Sequence, residues 1–341
     1  MKLLVTGGAG FIGSHLAEHL LRSGHTVTVL DNMSTGSSRN IDDLKAYDRF
    51  SFVCGTVLDA KLVNSLVKEH DAVFHLAAVV GTKNCIENPI DLIHSNIMGT
   101  DNVVEACYEH GKKLVLASTS EVYGRSEQIP FREDGPRVFG PVHADRWCYA
   151  TTKTLDEYLS LAYAKLGLAV TILRYFNIYG PRANQSRYAN VIPSFIRCAL
   201  NNEPLQVHGT GEQTRSFTYV SDCVGATVAA LAPSANGAVI NVGTEDEVSI
   251  NALAKTIIRL SGSRSAIVHV PYEHVFGPGH EDVSRRVPDA TRARQLLNFH
   301  PRVTLEDGLR KTIDWYRKAS GIERRPNHHE NVEEYGDEIH S

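Results

Sequence analysis

Two side chains that could carry out proton chemistry, Tyr149 and Lys153, lie four residues apart. The segment from Cys148 to Ala164 has the apolar spacing of a helix, so both side chains are expected on one helix face. An ammonium group beside a phenol favours the phenolate, which lowers a pKa that starts near ~10. The pair therefore predicts Tyr149 as a base for a sugar or alcohol hydroxyl. Alone the spacing is a weak motif, because an exposed Lys and a half-buried Tyr are ordinary on an amphipathic helix.

A second group of reactive side chains follows a predicted strand. The run from Lys113 to Ala117 is short and mostly apolar, which is typical of a buried parallel strand. Ser118, Thr119, Ser120 and Glu121 come directly after it. Open α/β sheets bind their ligands at the carboxyl ends of their strands, so these side chains are expected at a ligand site. The alternative for Glu121 is a solvent-exposed acid on a loop.

The N-terminal segment predicts what that ligand is. Gly7, Gly10 and Gly13 have a spacing at which glycines allow a tight turn and bring the backbone close to a pyrophosphate at a helix N-terminus. Asp31 stands where a carboxylate can accept from both adenosine ribose hydroxyls and repel a 2′-phosphate. No Arg follows it directly, so we expect NAD rather than NADP. The predicted elements are a strand at Lys2–Thr6, a helix at Ser14–Arg22 and a strand at Thr26–Leu30.

Strands and helices continue to alternate through the first half of the chain. This pattern predicts an α/β fold with a doubly wound parallel Rossmann sheet. The strand predicted over 71–78 ends in small residues that would let a cofactor lie against the backbone. The further predicted elements are strands at Phe52–Cys54, Asp71–Ala78 and Leu168–Leu173, and helices at Asp59–Lys68 and Pro89–His110.

The second half has shorter elements with more glycine and proline between them. We therefore expect an NAD-binding domain over 1–176, with a returning strand near 237–243, and a smaller irregular substrate-binding lobe over 177–318. The polar segment 320–341 has little to bury and is predicted to be a mobile tail.

Composition excludes several classes of partner. The chain has 341 residues and a net charge of −4, which gives no electrostatic case for binding nucleic acid or an anionic membrane. No apolar run approaches the ~18 residues that a membrane span needs. The six cysteines are scattered without paired spacing, which predicts reduced thiols in a cytoplasmic protein and no metal site.

Together these motifs resemble those of the extended short-chain dehydrogenase/reductases, which are NAD-dependent enzymes that act on nucleotide sugars. The likeness runs from Met1 to about residue 318. In finer detail the chain is similar to the UDP-glucuronic acid decarboxylases. That resemblance implies decarboxylation of UDP-glucuronic acid through a C4-keto intermediate, to UDP-xylose, a UDP-4-keto-pentose or both. The segments that carry it are Ser118–Gly124, Gly140–Tyr149, Gln213–Phe217 and Arg285–Pro288.

The resemblance also implies roles for individual residues. Thr119 and Tyr149 would contact the sugar C4 hydroxyl, with Ser120 completing the hydrogen bonds. Lys153 would bind the nicotinamide ribose, and Glu121 would hold a water or proton near C5. Arg286 would bind the C5 carboxylate. The sugar or diphosphate would be held by Arg146, Asn177, Asn190, Gln206 and Arg215. Further cofactor contacts would come from Gly7, Gly10, Phe11, Ile12, Gly13, Asp31, Asn32, Thr35, Val57, Leu76, Ala77 and Ala78.

Three alternatives stay open. A UDP-sugar 4-epimerase needs only Tyr149, Lys153 and a rotating keto-sugar, although such epimerases often carry a small residue where Glu121 stands. Nucleotide-sugar 4,6-dehydratases usually have Asp-Glu after the Thr, where this chain has Ser120-Glu121. A catalytically silent NAD-binding protein is disfavoured by the intact Thr119, Tyr149 and Lys153.

Relatives of this family pair through two long helices. The resemblance therefore implies a homodimer in which the helices at Pro89–His110 and Tyr149–Leu166 form a four-helix bundle with those of a second copy.

Overall fold

The computed structural model describes residues 1–183, 190–276 and 283–321. The predicted tail therefore lies, apart from its first two residues, outside the described residues.

A seven-stranded parallel sheet forms the centre of the molecule. Its strand order is β11-β6-β5-β4-β1-β2-β3, and each adjacent pair runs parallel. The order reverses direction at β1, as it does in doubly wound sheets, so the predicted fold class is confirmed. The strands are β1 (Lys2–Thr6), β2 (Thr26–Asp31), β3 (Phe50–Cys54), β4 (Ala72–His75), β5 (Lys113–Thr119), β6 (Val170–Tyr175) and β11 (Val239–Val242).

Helices cover both faces of this sheet. Leu3 and Val5 of β1 belong to one buried apolar cluster, while Leu4 between them belongs to another on the opposite face. This alternation follows from the two-residue period of a strand, and it explains why three consecutive residues of β1 are apolar. The helices of this half are α1 (Phe11–Arg22), α2 (Ala60–Glu69), α3 (Thr82–Glu87), α4 (Pro89–Glu109) and α5 (Trp147–Lys165).

Two element boundaries differ from the sequence expectations in ways that shape the cleft. Helix α1 begins at Phe11, three residues earlier than predicted, because Gly10 serves as its N-cap. Strand β4 ends at His75 and does not continue to Ala78. The next residues bend beneath the glycine loop, where the Ala77 N–H donates to Thr6 Oγ1 at 3.3 Å. Both changes bring backbone toward the carboxyl end of the sheet.

The rest of the chain forms smaller units on that edge. Segment Val239–Val242 pairs with β6 and so returns to the central sheet, whereas the other strands form sheets of two or three strands. The domain division itself stays a prediction. The remaining strands are β7 (Ile178–Tyr179), β8 (Leu205–His208), β9 (Thr214–Ser216), β10 (Thr218–Tyr219), β12 (Glu247–Ser249), β13 (Ile267–Val270) and β14 (Arg285–Arg286), and the remaining helices are α6 (Val191–Asn201), α7 (Val220–Ala229), α8 (Ile250–Ser261), α9 (Tyr272–Phe276), α10 (Thr291–Leu297) and α11 (Leu305–Ala319).

Candidate active site

A cleft of about 1730 Å³ lies between the carboxyl edge of the central sheet and the smaller units. Every residue that the sequence analysis assigned to the cofactor, to catalysis or to the substrate lines it. The catalytic group is Thr119, Ser120, Glu121, Tyr149 and Lys153. The substrate group is Arg146, Asn177, Asn190, Gln206, Arg215 and Arg286. The cofactor group is Gly7, Gly10, Phe11, Ile12, Gly13, Asp31, Asn32, Thr35, Val57, Leu76, Ala77 and Ala78.

The glycine loop forms a cradle that side chains would fill. A Cβ at Gly13 would lie 2.2 Å from the Gly7 carbonyl oxygen, and a Cβ at Gly7 would lie 2.7 Å from the Ala77 nitrogen. Gly7 also has a φ of +71°, which favours glycine. The loop therefore presents bare backbone and the N-terminus of α1 to the cleft, which fits a pyrophosphate.

Asp31 lies at the end of β2 and is almost fully buried. Its Oδ2 accepts from the Ala9 N–H at 3.0 Å, and its Oδ1 accepts from the Met33 N–H at 2.8 Å. A carboxylate offers about four lone-pair sites, so each oxygen keeps capacity for one more donor. The two backbone bonds fix the orientation of the carboxylate in the wall of the cleft.

Ser118 and Thr119 are the last residues of β5, and Ser120 and Glu121 begin a short 3-10 helix, Ser120–Tyr123. Thr119 is the N-cap of this helix, and the Thr119 hydroxyl accepts from the Glu121 N–H at 3.2 Å. Gly124 ends it with a φ of +62°, at a point where a Cβ would lie 2.0 Å from the Val138 carbonyl oxygen. This tight turn directs Thr119 and Glu121 into the cleft.

Glu121 lies among arginines. Its Oε1 accepts from Nη1 of Arg286, and Nη2 of Arg146 lies 3.7 Å from its Oε2. Arg215 faces it as well, because Arg215 and Arg286 are paired in register on the adjacent strands β9 and β14. Burial raises the pKa of the Glu121 carboxyl, but these positive charges outweigh burial and the net pKa is lowered. One carboxylate facing three guanidinium groups leaves this end of the cleft with net positive charge.

Tyr149 is hydrogen-bonded to Thr119 at the first turn of α5. The structure contradicts the lowered pKa predicted for this phenol. Burial raises its pKa, the negative charges of Glu121 and Asp156 raise it further, and the Thr119 hydrogen bond lowers it only in part. Nζ of Lys153 donates to Asp156 at 2.8 Å, so the positive charge predicted to favour the phenolate is already paired.

Three further polar residues line the cleft. Asn177, with a φ of +42°, donates from Nδ2 to the Ser216 carbonyl oxygen at 2.8 Å. Asn190 is the exposed N-cap of α6, and Gln206 is the exposed residue of β8 between two buried neighbours.

The sequence analysis missed a buried polar network beneath the site. Both Glu157 oxygens accept from Arg174, at 2.9 and 2.7 Å, and Oε1 also accepts from the Ser118 hydroxyl at 2.6 Å. Arg174 donates in turn to the Tyr123 hydroxyl at 2.8 Å. The network ties α5 to the end of β5 and to the 3-10 helix that carries Glu121. In the sequence this network is signalled only by Glu157, an acid one helical turn after Lys153 on the helix face expected to be buried.

Two possible features are not found in the described ranges. No helix among residues 1–183, 190–276 and 283–321 is long and apolar enough to cross a membrane. The same part of the chain holds no group of three His, Cys, Asp or Glu side chains placed to bind a metal ion.

Comparison with known proteins defines the class. A profile of the NAD dependent epimerase/dehydratase family matches residues 3–243. The chain belongs to this family, which confirms the predicted relationship and the predicted cofactor, NAD.

Individual relatives cover nearly the whole chain. It is 50% identical to a UDP-N-acetyl-alpha-D-glucosaminuronate decarboxylase of Bacillus cytotoxicus, over 93% of this chain and 98% of that protein. It is 39% identical to UDP-glucuronic acid decarboxylase 1 of Xenopus tropicalis, over 93% of this chain and 72% of that protein. Among solved structures it resembles the UDP-glucuronic acid 4-epimerase of Bacillus cereus in complex with UDP-glucuronic acid and NAD. That likeness has a TM-score of 0.82 and 33% identity, and it covers 94% of this chain and 100% of the other.

Proposed function

We propose that the protein is an NAD-dependent carboxy-lyase that decarboxylates UDP-glucuronic acid, or a closely related UDP-linked hexuronate, through a C4-keto intermediate. The observation that carries this proposal is the cluster of Arg286, Arg215 and Arg146 around Glu121, beside Tyr149. Arg286 and Arg215 are both buried, and the three guanidinium groups outnumber the one carboxylate of Glu121. A substrate with a diphosphate and a sugar carboxylate suits the net positive charge of this part of the cleft.

The chemistry divides between the cofactor and the chain. When bound, NAD accepts the hydride from C4, which leaves a ketone β to the carboxylate as the electron sink for loss of CO₂. Tyr149 takes the proton of the C4 hydroxyl, and Thr119 holds the phenol by a hydrogen bond. Arg286 orients the carboxylate, and its planar fork suits two parallel hydrogen bonds. Glu121 holds the group that delivers a proton to C5, where the proton replaces CO₂.

The residues present fit the cofactor. Gly7 and Gly13 leave room for the pyrophosphate, and Asp31 accepts from the adenosine ribose. Lys153 lines the cleft one helical turn from Tyr149, and it would donate to the nicotinamide ribose.

A second candidate function is 4-epimerisation of UDP-glucuronic acid. It is favoured by the likeness to the Bacillus cereus epimerase, whose substrate carries the same carboxylate. Glu121 favours decarboxylation, because an epimerase requires no acid beside C5. The two reactions differ in mass: decarboxylation removes CO₂, whereas epimerisation leaves the mass unchanged.

The substituent at C2 of the sugar is a separate question. The Bacillus cytotoxicus relative is named for a substrate with an N-acetyl group, and the Xenopus tropicalis relative for one without it. The purified protein should therefore be incubated with NAD and each of the two UDP-hexuronates in parallel, with the nucleotide sugars followed by mass spectrometry. Loss of CO₂ from either supports the proposal, and the ratio of the two kcat/KM values identifies the substrate. An unchanged mass with both would refute it.

The proposal includes a cytoplasmic homodimer. Helices α4 and α5 pack against each other and expose large apolar side chains, a pattern that suits a helical interface. The exposed large apolar residues of these two helices are Ile90, Ile93, Met98, Tyr108, Leu155 and Tyr158. Two such pairs of helices would bury these residues in a four-helix bundle.

A further inference from the structure

Lys113 is the first residue of β5, so it lies at the edge of the central sheet opposite the cleft. A strand rises about 3.3 Å per residue, which puts its Cα roughly 20 Å from that of Thr119 at the other end of the strand. The side chain is half-buried and does not line the cleft. The proposed mechanism makes no use of this amine.

Two neutral oxygen atoms hold the amine. Nζ of Lys113 donates to Oγ1 of Thr171 at 2.6 Å and to Oδ1 of Asn236 at 2.5 Å. The Thr171 hydroxyl donates its own proton to the carbonyl oxygens of Ala230 and Ala235, at 3.2 and 2.8 Å, so toward the amine it can only accept. The two bonds fix the amine between β5, β6 and the turn that precedes β11.

No acid among residues 1–183, 190–276 and 283–321 pairs with this amine. Asp71, which precedes the residue paired with Lys113 on β4, accepts instead from the Lys2 N–H at 2.8 Å. Burial alone acts on the amine and lowers the pKa of Lys113 to about 8. A neutral amine has two N–H groups and one lone pair. With both N–H groups bonded to Thr171 and Asn236, its lone pair is free to react.

We propose that Lys113 is a modification site for acyl transfer, at which a thioester gives its acyl group to Nζ. The nitrogen attacks the thioester carbonyl carbon, so that an N–C bond forms and the C–S bond breaks. The thiolate leaves, and the amine loses one proton to solvent. The product is a neutral amide, which needs no counter-ion. Reaction with CO₂ would instead give a carbamate anion at a place where no positive charge of the described residues acts.

Acylation changes the contacts of this side chain. The amide nitrogen keeps one N–H, so it can donate to Thr171 or to Asn236 but not to both. The link between β5 and the turn before β11 is therefore weakened, at the end of the sheet away from the cleft. This inference does not depend on the proposed function.

The test compares lysines within one protein. The purified chain is incubated with isotope-labelled acetyl coenzyme A at about pH 7.5, where an ordinary lysine amine is almost wholly protonated. Peptide mass spectrometry gives the initial rate of acetylation at each lysine. Lys113 should react about tenfold faster than Lys112 or the exposed Lys255, because burial leaves more of its amine uncharged. Reaction at Lys113 that is no faster than at these two would overturn the proposal.

Asn236→Asp tests the role of the neutral partners. Asn236 is exposed and Asp has nearly the same shape, so this variant should fold. The new carboxylate would pair with the ammonium and keep it protonated, which should slow acetylation of Lys113 by about tenfold. Asn201→Asp, which adds the same charge at an exposed position of α6, is the control and should leave the rate unchanged. An unchanged rate in Asn236→Asp, or equal losses in both variants, would contradict the proposed site.

Discussion

Arg286 donates to the carboxylate of Glu121, although 165 residues separate them in the chain. The contact joins the end of β5 to β14 across the mouth of the cleft. A sugar carboxylate bound by Arg286 would share that guanidinium with Glu121, which places the acid of the chain next to the carbon that loses CO₂. In the proposed mechanism, the group that binds the sugar carboxylate and the group that handles the proton are therefore in direct contact.

Arg286→Ala should slow CO₂ release by roughly 100-fold, because the carboxylate loses its charged hydrogen-bond partner. Arg286→Lys should recover only part of the rate, since an ammonium cannot form the bidentate pair. The matched control is Arg285→Ala, whose side chain is exposed and paired with Glu247. Single-turnover kinetics measure the rate of CO₂ release, and NAD titration measures cofactor binding separately. Equal losses in the Arg286 and Arg285 variants would show that the carboxylate site has been misassigned.

Gly13→Ala should abolish NAD binding and lower stability, because the new Cβ would lie 2.2 Å from the Gly7 carbonyl oxygen. Gly225→Ala is the control, since α7 leaves open space at that position. There the substitution should stabilise by at most about 1 kcal/mol. Calorimetric titration with NAD and thermal melting provide the readouts. NAD affinity that is unchanged in Gly13→Ala would exclude the glycine loop as the pyrophosphate cradle.

Glu157→Gln should destabilise the fold by about 3–5 kcal/mol, because it leaves the buried Arg174 without its counter-ion. Glu306→Gln removes an exposed partner of Arg259 and should change stability little. Both effects are measured by denaturant unfolding.

The pH dependence of the Glu157 effect has a definite sign. Burial raises the pKa of this carboxyl, but Arg174, Arg137 and Ser118 outweigh burial and lower it below 4.5. A carboxyl whose pKa is lower in the folded state than in the unfolded state stabilises the fold at pH values above its unfolded-state pKa. This contribution is lost as the pH falls through its folded-state pKa. The stability gap between wild type and Glu157→Gln should therefore be full at neutral pH and narrow below about pH 4.5. A gap that widened toward acid pH would contradict the ion pair.

Ile90→Glu should convert the proposed dimer into a monomer, because it places a charge on the exposed apolar face of α4. Val268→Glu introduces the same charge at an exposed position on β13, away from that face. Light scattering at equal concentration measures the oligomeric state of the two variants. A wild-type monomer, or a dimer that persists in Ile90→Glu, would exclude the four-helix interface.

The features that local sequence pattern determines could be predicted. Each of these patterns lies within about thirty residues: the glycine spacing, Asp31 at a strand end, and Tyr149 with Lys153 on one helix. The patterns occur in a fixed order in proteins with this cofactor-binding fold. The bend after His75 was missed because the apolar run continues past the strand. The strand ends at His75 because the residues that follow it contact the glycine loop.

The electrostatics of the site could not be predicted in the same way. The raised pKa of Tyr149 follows first from its burial and then from the negative charges of Glu121 and Asp156, and the pairing of Lys153 with Asp156 is visible only in the folded structure. The network of Glu157 and Arg174 joins a helix to a strand through packing. Such contacts depend on tertiary distances, which the spacing of residue types does not contain.

The most direct test of the central claim is the fate of the sugar carboxylate carbon. UDP-glucuronic acid and its 2-acetamido counterpart, each labelled at that carbon, are incubated with the protein and NAD, and the label is measured in released CO₂ and in the nucleotide sugar. The account predicts labelled CO₂ from at least one substrate, together with an unlabelled UDP-pentose or UDP-4-keto-pentose. Retention of all label in a UDP-sugar of unchanged mass and inverted C4 configuration would contradict it, and would identify the protein as an epimerase.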